Sequence, residues 1–235
     1  MRTKPSHFSL LILALLGLGA LSACEVPPES TSPVSESPSG SASLRDEMAG
    51  DCQYQADAPV VSNYASLIRS TDAQVGPSDA RVTVIEFFEP NCIHCIKLHP
   101  TMVEVKQRYD DRVRFVFKPF VNWAESQYQA QAMYAAHAEG KFFEMMGAQF
   151  ASGKPEQMTR EHIVEIADGI GMDGEAMAQR IDGGAYRGKM MADRADFMTT
   201  GAQGFPAVYI NGQLVESGSR TVGCLSQLIE TELDS

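Results

Sequence analysis

The stretch Glu86-Phe87-Phe88-Glu89-Pro90-Asn91-Cys92-Ile93-His94-Cys95 constrains the fold more than any other part of the chain. Before it, Arg81-Val82-Thr83-Val84-Ile85 is short and β-branched, which predicts a strand over 81–88. After it, Cys95, Leu98, Met102, Val105 and Tyr109 recur at spacings of three and four, one face of a helix over 92–109. Pro100 lies within that helix and is expected to kink or divide it, because it lacks a donor and crowds the preceding turn. A thiol in the first turn of a helix meets unpaired backbone N–H groups and the positive end of the helix dipole, and both favour the thiolate. Cys92 is therefore placed to be a nucleophile, and Cys95, one turn on, can reach its sulfur. Glu89 is expected to be a solvated turn residue. Glu86 has two readings, turned to solvent by strand alternation or buried for a task.

The remaining elements follow from pattern. Val75-Gly76-Pro77-Ser78-Asp79-Ala80 reads as a turn, and Val113-Arg114-Phe115-Val116-Phe117 as a second strand. Around residues 60–70 the periodicity is mixed. From Glu125 to about Thr200 the chain is rich in Ala, Met, Glu and Gln and carries no strand-like run. Five helices are expected there: one ending at Gly140, one ending near Gly153, one capped by Thr159, one around Met177 and Ile181, and one over 189–198. The Met residues 145, 146, 190 and 191 read as core, with an adaptable binding surface as the other reading. Pro206-Ala207-Val208-Tyr209-Ile210, Asn211-Gly212 and Gln213-Leu214-Val215 form a hairpin pattern, and Leu225, Leu228, Ile229 and Leu233 mark a final helix. The class is α/β, in the order βαβ, helical block, ββα, with the block at about 121–200 an insertion between two strand-bearing halves.

A formal net charge of −11 argues against a nucleic-acid partner, since no basic face is advertised. The N-terminus carries Arg2 and Lys4, then an apolar run from Phe8 to Leu21 that is short for a spanning helix. It ends in Leu21-Ser22-Ala23-Cys24, which resembles a bacterial lipobox. The resemblance implies a signal peptide over 1–23, a lipid on Cys24 that holds the chain to a membrane, and, with Glu25 next, an outer-membrane rather than inner-membrane destination. Residues 24–56 are rich in Ser and Pro and read as a disordered tether, with the folded domain over 57–235. Of the five cysteines, Cys52 and Cys224 fall outside any motif and are free to pair in an oxidising compartment.

The element order, Cys92-Ile93-His94-Cys95 at a helix start, and Gly204-Phe205-Pro206-Ala207 before a strand resemble the thioredoxin superfamily. The inserted helices make the chain similar to its DsbA-like thiol–disulfide oxidoreductases over about residues 70–235. That resemblance implies Cys92 as nucleophile, Cys95 as resolving thiol and His94 as a group stabilising the Cys92 thiolate. It also implies Glu86 as a buried carboxyl exchanging a proton with Cys95, and Pro206 as a cis-proline. The backbone of Phe205 would pair with an extended substrate; this side chain is bulkier than the Val or Thr common in the family and is expected to narrow the groove. It implies no cofactor beyond the Cys92–Cys95 disulfide and no metal. Expected partners are exported polypeptides with cysteines and a membrane redox partner, a DsbB-like oxidant or a DsbD-like reductant, on the periplasmic side of the envelope. Ile93 stands where the DsbA-type motif has Pro. With Phe205 it leaves the direction open between forming disulfides and reducing or isomerising them. A rival of another class, a metal-binding lipoprotein using Cys92 and Cys95 as soft ligands, lacks further ligands nearby except His94.

Overall fold

The protein is described by a computed structural model that covers residues 52–152 and 158–235. The signal peptide, Cys24 and most of the tether lie outside the described residues. Strand β1 (Ala73–Val75) precedes β2 (Val82–Phe88), helix α1 (Ile93–Tyr109) and β3 (Val113–Pro119). Five helices follow: α2 (Ser126–Ala138), α3 (Phe142–Ala151), α4 (Arg160–Gly169), α5 (Gly174–Asp182) and α6 (Arg187–Thr200). Strands β4 (Ala207–Ile210) and β5 (Gln213–Leu214) and helix α7 (Val222–Asp234) complete the chain.

All seven residues of β2 are buried, as befits a strand paired on both edges and covered on both faces. It runs parallel to β3, with Val82 opposite Val113, and antiparallel to β4, with Val84 opposite Ile210. The sheet order is β1-β3-β2-β4-β5. Alternation along β2 sends Val84 and Phe88 into a core shared with Cys95, Met102 and Val105 of α1 and Leu225 and Ile229 of α7. Met133, Met145, Ile163 and Met177 of the inserted helices join that same core. Ile85 and Phe87 face the other way, against Leu67, Phe197 of α6 and Tyr209, with the Phe87 and Phe197 rings edge to face at 5.6 Å. The inserted helices therefore serve both faces of the sheet.

The α/β class and the insertion are borne out, and the hairpin turns at Asn211 and Gly212, both with positive φ (46° and 81°). At Gly212 a Cβ would lie 2.3 Å from the Val61 carbonyl oxygen, so only glycine fits. Thr159 Oγ1 accepts from the His162 N–H at 3.3 Å, closing the expected cap of α4. Three expectations need correction. Helix α1 runs through Pro100 undivided. The turn placed at Val75 begins after a three-residue edge strand that pairs antiparallel to β3. This strand has no β-branched run of its own; it is recruited by β3 and by the Arg114 guanidinium, which donates to Gln74 Oε1 at 2.6 and 2.9 Å. Residues 52–56, expected in the tether, are built into the fold: Tyr54 bridges to Val215 and the Gln55 N–H donates to the Leu214 carbonyl at 2.8 Å. Cys52 is disulfide-bonded to Cys224 in the first turn of α7, with Cα atoms 5.0 Å apart. The mixed segment near residue 65 is a single 3₁₀ turn, Tyr64–Leu67.

At the end of β3, Lys118 is fully buried. Its Nζ donates to the Leu67 carbonyl (2.6 Å), Asp72 (3.0 Å) and Asp196 (2.8 Å), and lies 3.1 Å from Asp193. Lys189 donates to Asp72 and Asp193 at 2.6 Å, Arg69 forks onto Asp196, and the Tyr134 hydroxyl donates to Asp193 at 2.8 Å. Burial alone would lower the Lys118 pKa, but Asp193, Asp72 and Asp196 together hold it above its usual value. The cluster ties α6 and the segment before β1 to the sheet. Lys118→Met should destabilise the fold by about 3–5 kcal/mol, because the carboxylates left behind stay buried with one cation fewer. Denaturant unfolding measures this, and a loss under about 1 kcal/mol, the ceiling for a solvated pair, would refute the role.

Candidate active site

The end of β2, the turn and α1 place both motif cysteines where the helix leaves the sheet. Cys92 is the N-cap of α1 and Cys95 sits one turn in, with no accessible surface. Both thiols are free. Their acidities are pushed far apart. Cys92 is pulled down to about 5 by the Cys95 side chain, against burial, with the backbone N–H groups of Cys95 and His94 and the charge of His94 helping. Cys95 is pushed far above the ordinary thiol range, first by burial and then by its hydrogen bond to Cys92 and the charges on Cys92 and Glu86. Near neutral pH the pair thus holds one proton, on Cys95, with Cys92 as the thiolate.

Phe205 and Pro206 are joined by a cis peptide bond, and the Phe205 carbonyl oxygen stands 3.9 Å from Cys92 Sγ. Phe205 also lines the cavity beside the cysteines. Its ring packs against Phe120 (4.6 Å between centroids) and Phe197 (4.8 Å) on the far side of the sheet, which leaves the backbone beside the sulfur. Next to it, His94, Leu98, Phe205, Pro206, Ser217 and Arg220 line that open cavity of about 410 Å³. Ile93 is exposed.

Glu86 is buried, so the solvent-facing reading is excluded. It shares its sheet face with Val84 and Phe88, the face that α1 covers. Burial pushes its pKa up to about 8, with Arg220 drawing it back. Glu89 is a correction: its side chain has no exposure, because the loop after β3 and the start of α2 cover the turn. The Glu89 N–H donates to Cys95 Sγ at 3.5 Å, and its carbonyl accepts the Cys92 N–H at 3.0 Å.

A profile of the thioredoxin family matches residues 69–231. The chain belongs to the thioredoxin family. Among curated relatives, this thioredoxin-family chain is 24% identical over 149 residues to the Na(+)/H(+) antiporter NhaA of Herminiimonas arsenicoxydans, covering 63% of the chain and 24% of the antiporter. It is 22% identical over 178 residues to a provisionally named protein-disulfide oxidoreductase of Rickettsia bellii, covering 71% of the chain and 66% of that protein. Among solved structures, the thiol-disulfide exchange protein α-DsbA2 of Wolbachia pipientis superposes with a TM-score of 0.63 at 17% identity, over 73% of this chain and 92% of that one. The DsbA-like form of the thioredoxin fold is thereby shown.

Sequence reasoning did not find Arg220. Its guanidinium donates to the Pro206 carbonyl and, at 3.0 and 3.2 Å, to the Val215 carbonyl, so it holds the cis-proline turn against β5 while facing Glu86 and Cys95. No motif carries it; the residue reaches the site only because a short 3₁₀ turn, Ser217–Ser219, folds it back. Among the described residues no group of three His, Cys, Asp or Glu is placed to hold a metal ion.

Two outcomes follow. Alkylation of Cys92 in the reduced protein should follow a midpoint near pH 5, with Cys95 unreactive across the same range. Glu86→Gln should stabilise the fold. An unfolded Glu86 ionises near its ordinary 4.5 while the folded one holds its proton to about 8, so wild-type stability falls with rising pH across that interval. The variant's advantage in denaturant unfolding should open above pH 4.5 and level off past pH 8, and a flat difference would refute the burial cost.

Proposed function

We propose that this chain is a protein thiol–disulfide oxidoreductase of the cell envelope that forms disulfides in exported polypeptides. The observation that carries the reading is the placement of the two thiols, Cys92 at the helix start beside the carbonyl of the cis-proline turn and Cys95 fully buried one turn on. In the oxidised enzyme a substrate thiolate attacks Cys92 Sγ, the Cys92–Cys95 bond breaks, and Cys95 leaves and takes a proton. The second substrate thiolate then attacks the mixed disulfide at the substrate sulfur. The substrate leaves oxidised, and Cys92 departs as a stabilised thiolate. A low Cys92 pKa stabilises the reduced form and so makes the disulfide a better oxidant, which favours the forming direction over the reducing one. The Phe205 backbone beside the sulfur would pair with an extended substrate segment, and Glu86, near Cys95, would exchange its proton. His94 would support the thiolate.

The name of the Wolbachia protein describes thiol-disulfide exchange, and that of the Rickettsia relative a protein-disulfide oxidoreductase, which supports the same chemistry here. The chain spans about a quarter of the antiporter's length and under two thirds of a whole second relative, so the activity is argued from the site. Location rests on Leu21-Ser22-Ala23-Cys24: a lipid on Cys24 would hold the domain to the membrane facing the periplasm, with the outer membrane favoured by Glu25. A membrane oxidant of the DsbB kind would restore the Cys92–Cys95 disulfide. No helix among the described residues is long and apolar enough to cross a membrane.

The oxidised protein should refold a reduced, disulfide-containing substrate with stoichiometric loss of its own disulfide, and Cys92→Ala should abolish this. Cys95→Ala should accumulate mixed disulfides on Cys92, visible as thiol-sensitive adducts on a non-reducing gel. Absence of adducts, with Cys92 of the variant still open to alkylation at neutral to alkaline pH, would sink the enzyme reading.

A further inference from the structure

Glu89 is the buried ionisable group at the site that the exchange steps leave unused. Its Oε2 accepts the Asn91 N–H at 2.6 Å, while Oε1 has no hydrogen-bond partner among the described residues. The Asn91 side chain is in turn fixed by donating to Ser126 Oγ at 3.0 Å, and Ser126 is as fully buried as Glu89. Through its backbone the residue touches both cysteines, and its carboxyl is held by the Asn91 N–H. Ser126 from α2 and Asn122 from the loop after β3 face it and are uncharged; the titratable group facing it is Cys92 of α1.

A carboxylate and a thiolate that face each other in a site of low dielectric repel. One charge must be neutralised when the other appears. In the oxidised enzyme Cys92 carries no charge; on reduction it becomes the thiolate. We infer that Glu89 takes up a proton when the Cys92–Cys95 disulfide is reduced and releases it when the disulfide re-forms. The inference rests on the redox reading of the pair. The balance closes without a further reactant: a substrate dithiol supplies two electrons and two protons, one proton going to Cys95 and the other to Glu89, with Cys92 left as thiolate. Burial pushes the Glu89 carboxyl up to about 7, against the pull of Ser126, Asn91 and Asn122, and Cys92 adds to the rise, so the exchange falls in the neutral range. Glu89 is a positioning residue, acting on the chemistry through the charge at Cys92.

The test is the number of protons taken up per disulfide reduced, from redox equilibria of the full-length chain against a thiol couple of known proton stoichiometry at pH values on either side of 7. Wild type should take up clearly more than one proton in the neutral range, Glu89→Gln one throughout, and Glu86→Gln as many as wild type. An extra proton retained by Glu89→Gln, or lost in Glu86→Gln, overturns the assignment. Should Glu89→Gln fail to fold, the side-chain carboxyl carbon of Glu89 in wild type can be titrated by NMR in both redox states. A higher midpoint in the reduced form is expected, and equal midpoints overturn the inference. A chain that reaches no redox equilibrium with dithiols overturns the disulfide-exchange reading itself; a proton count of one with that equilibrium intact overturns the role of Glu89 alone.

Discussion

Strand β2 has hydrogen-bonded partners on both edges and packed side chains on both faces, and the site inherits its properties from that enclosure. A residue at its third position from the end has no route to water, whatever its chemistry. Glu86 therefore stays protonated into the mildly alkaline range, and the chain beyond Phe88 emerges at a fixed place and angle. Helix α1 begins there, with its unpaired N–H groups aimed at the first cysteine and its second cysteine folded back under the sheet edge. The opposed acidities of the two thiols follow from the Cys95 side chain and the N–H groups of the helix start stabilising Cys92, while burial raises Cys95.

The same enclosure explains why the helical insertion can be large without loosening the site. Helices α2–α5 extend the core that β2 shares with α1, and α6 returns across the other face to stack Phe197 on Phe87, Phe120 and Phe205. The cis-proline turn is thus held from beneath by an aromatic cluster and from the side by Arg220. Buried ion pairs around Lys118 fix the return path of α6. Such clusters contribute little net stability compared with apolar packing, but they penalise every arrangement in which one partner is missing.

Much of this was legible in the residues alone. Spacing marked all five inserted helices within a few residues, and Cys92-Ile93-His94-Cys95 with Phe205-Pro206 located the reactive centre because strand, helix start and proline each have a local signature. What escaped depends on contacts between distant segments. Glu89 looks like a turn residue until the loop at 120–125 and Ser126 close over it. Lys118 looks like the polar end of a strand until Asp72, Asp193 and Asp196, drawn from both sides of the sequence, surround it. Strand β1 has too few residues to carry a periodicity, and Arg220 sits in a loop whose turn is read only from its coordinates.

The Cys52–Cys224 bond joins the first described residue to the first turn of the last helix. A pull arriving from the N-terminal side enters the domain at Cys52 and passes through a covalent bond into α7, which packs against α1 and β2. The load bypasses the hydrogen bonds that residues 53–55 make with Leu214, Glu216 and Ser219, which would open one after another under the same force. Cys52 and the last helix thus behave as one covalently joined unit under any load on the N-terminal side.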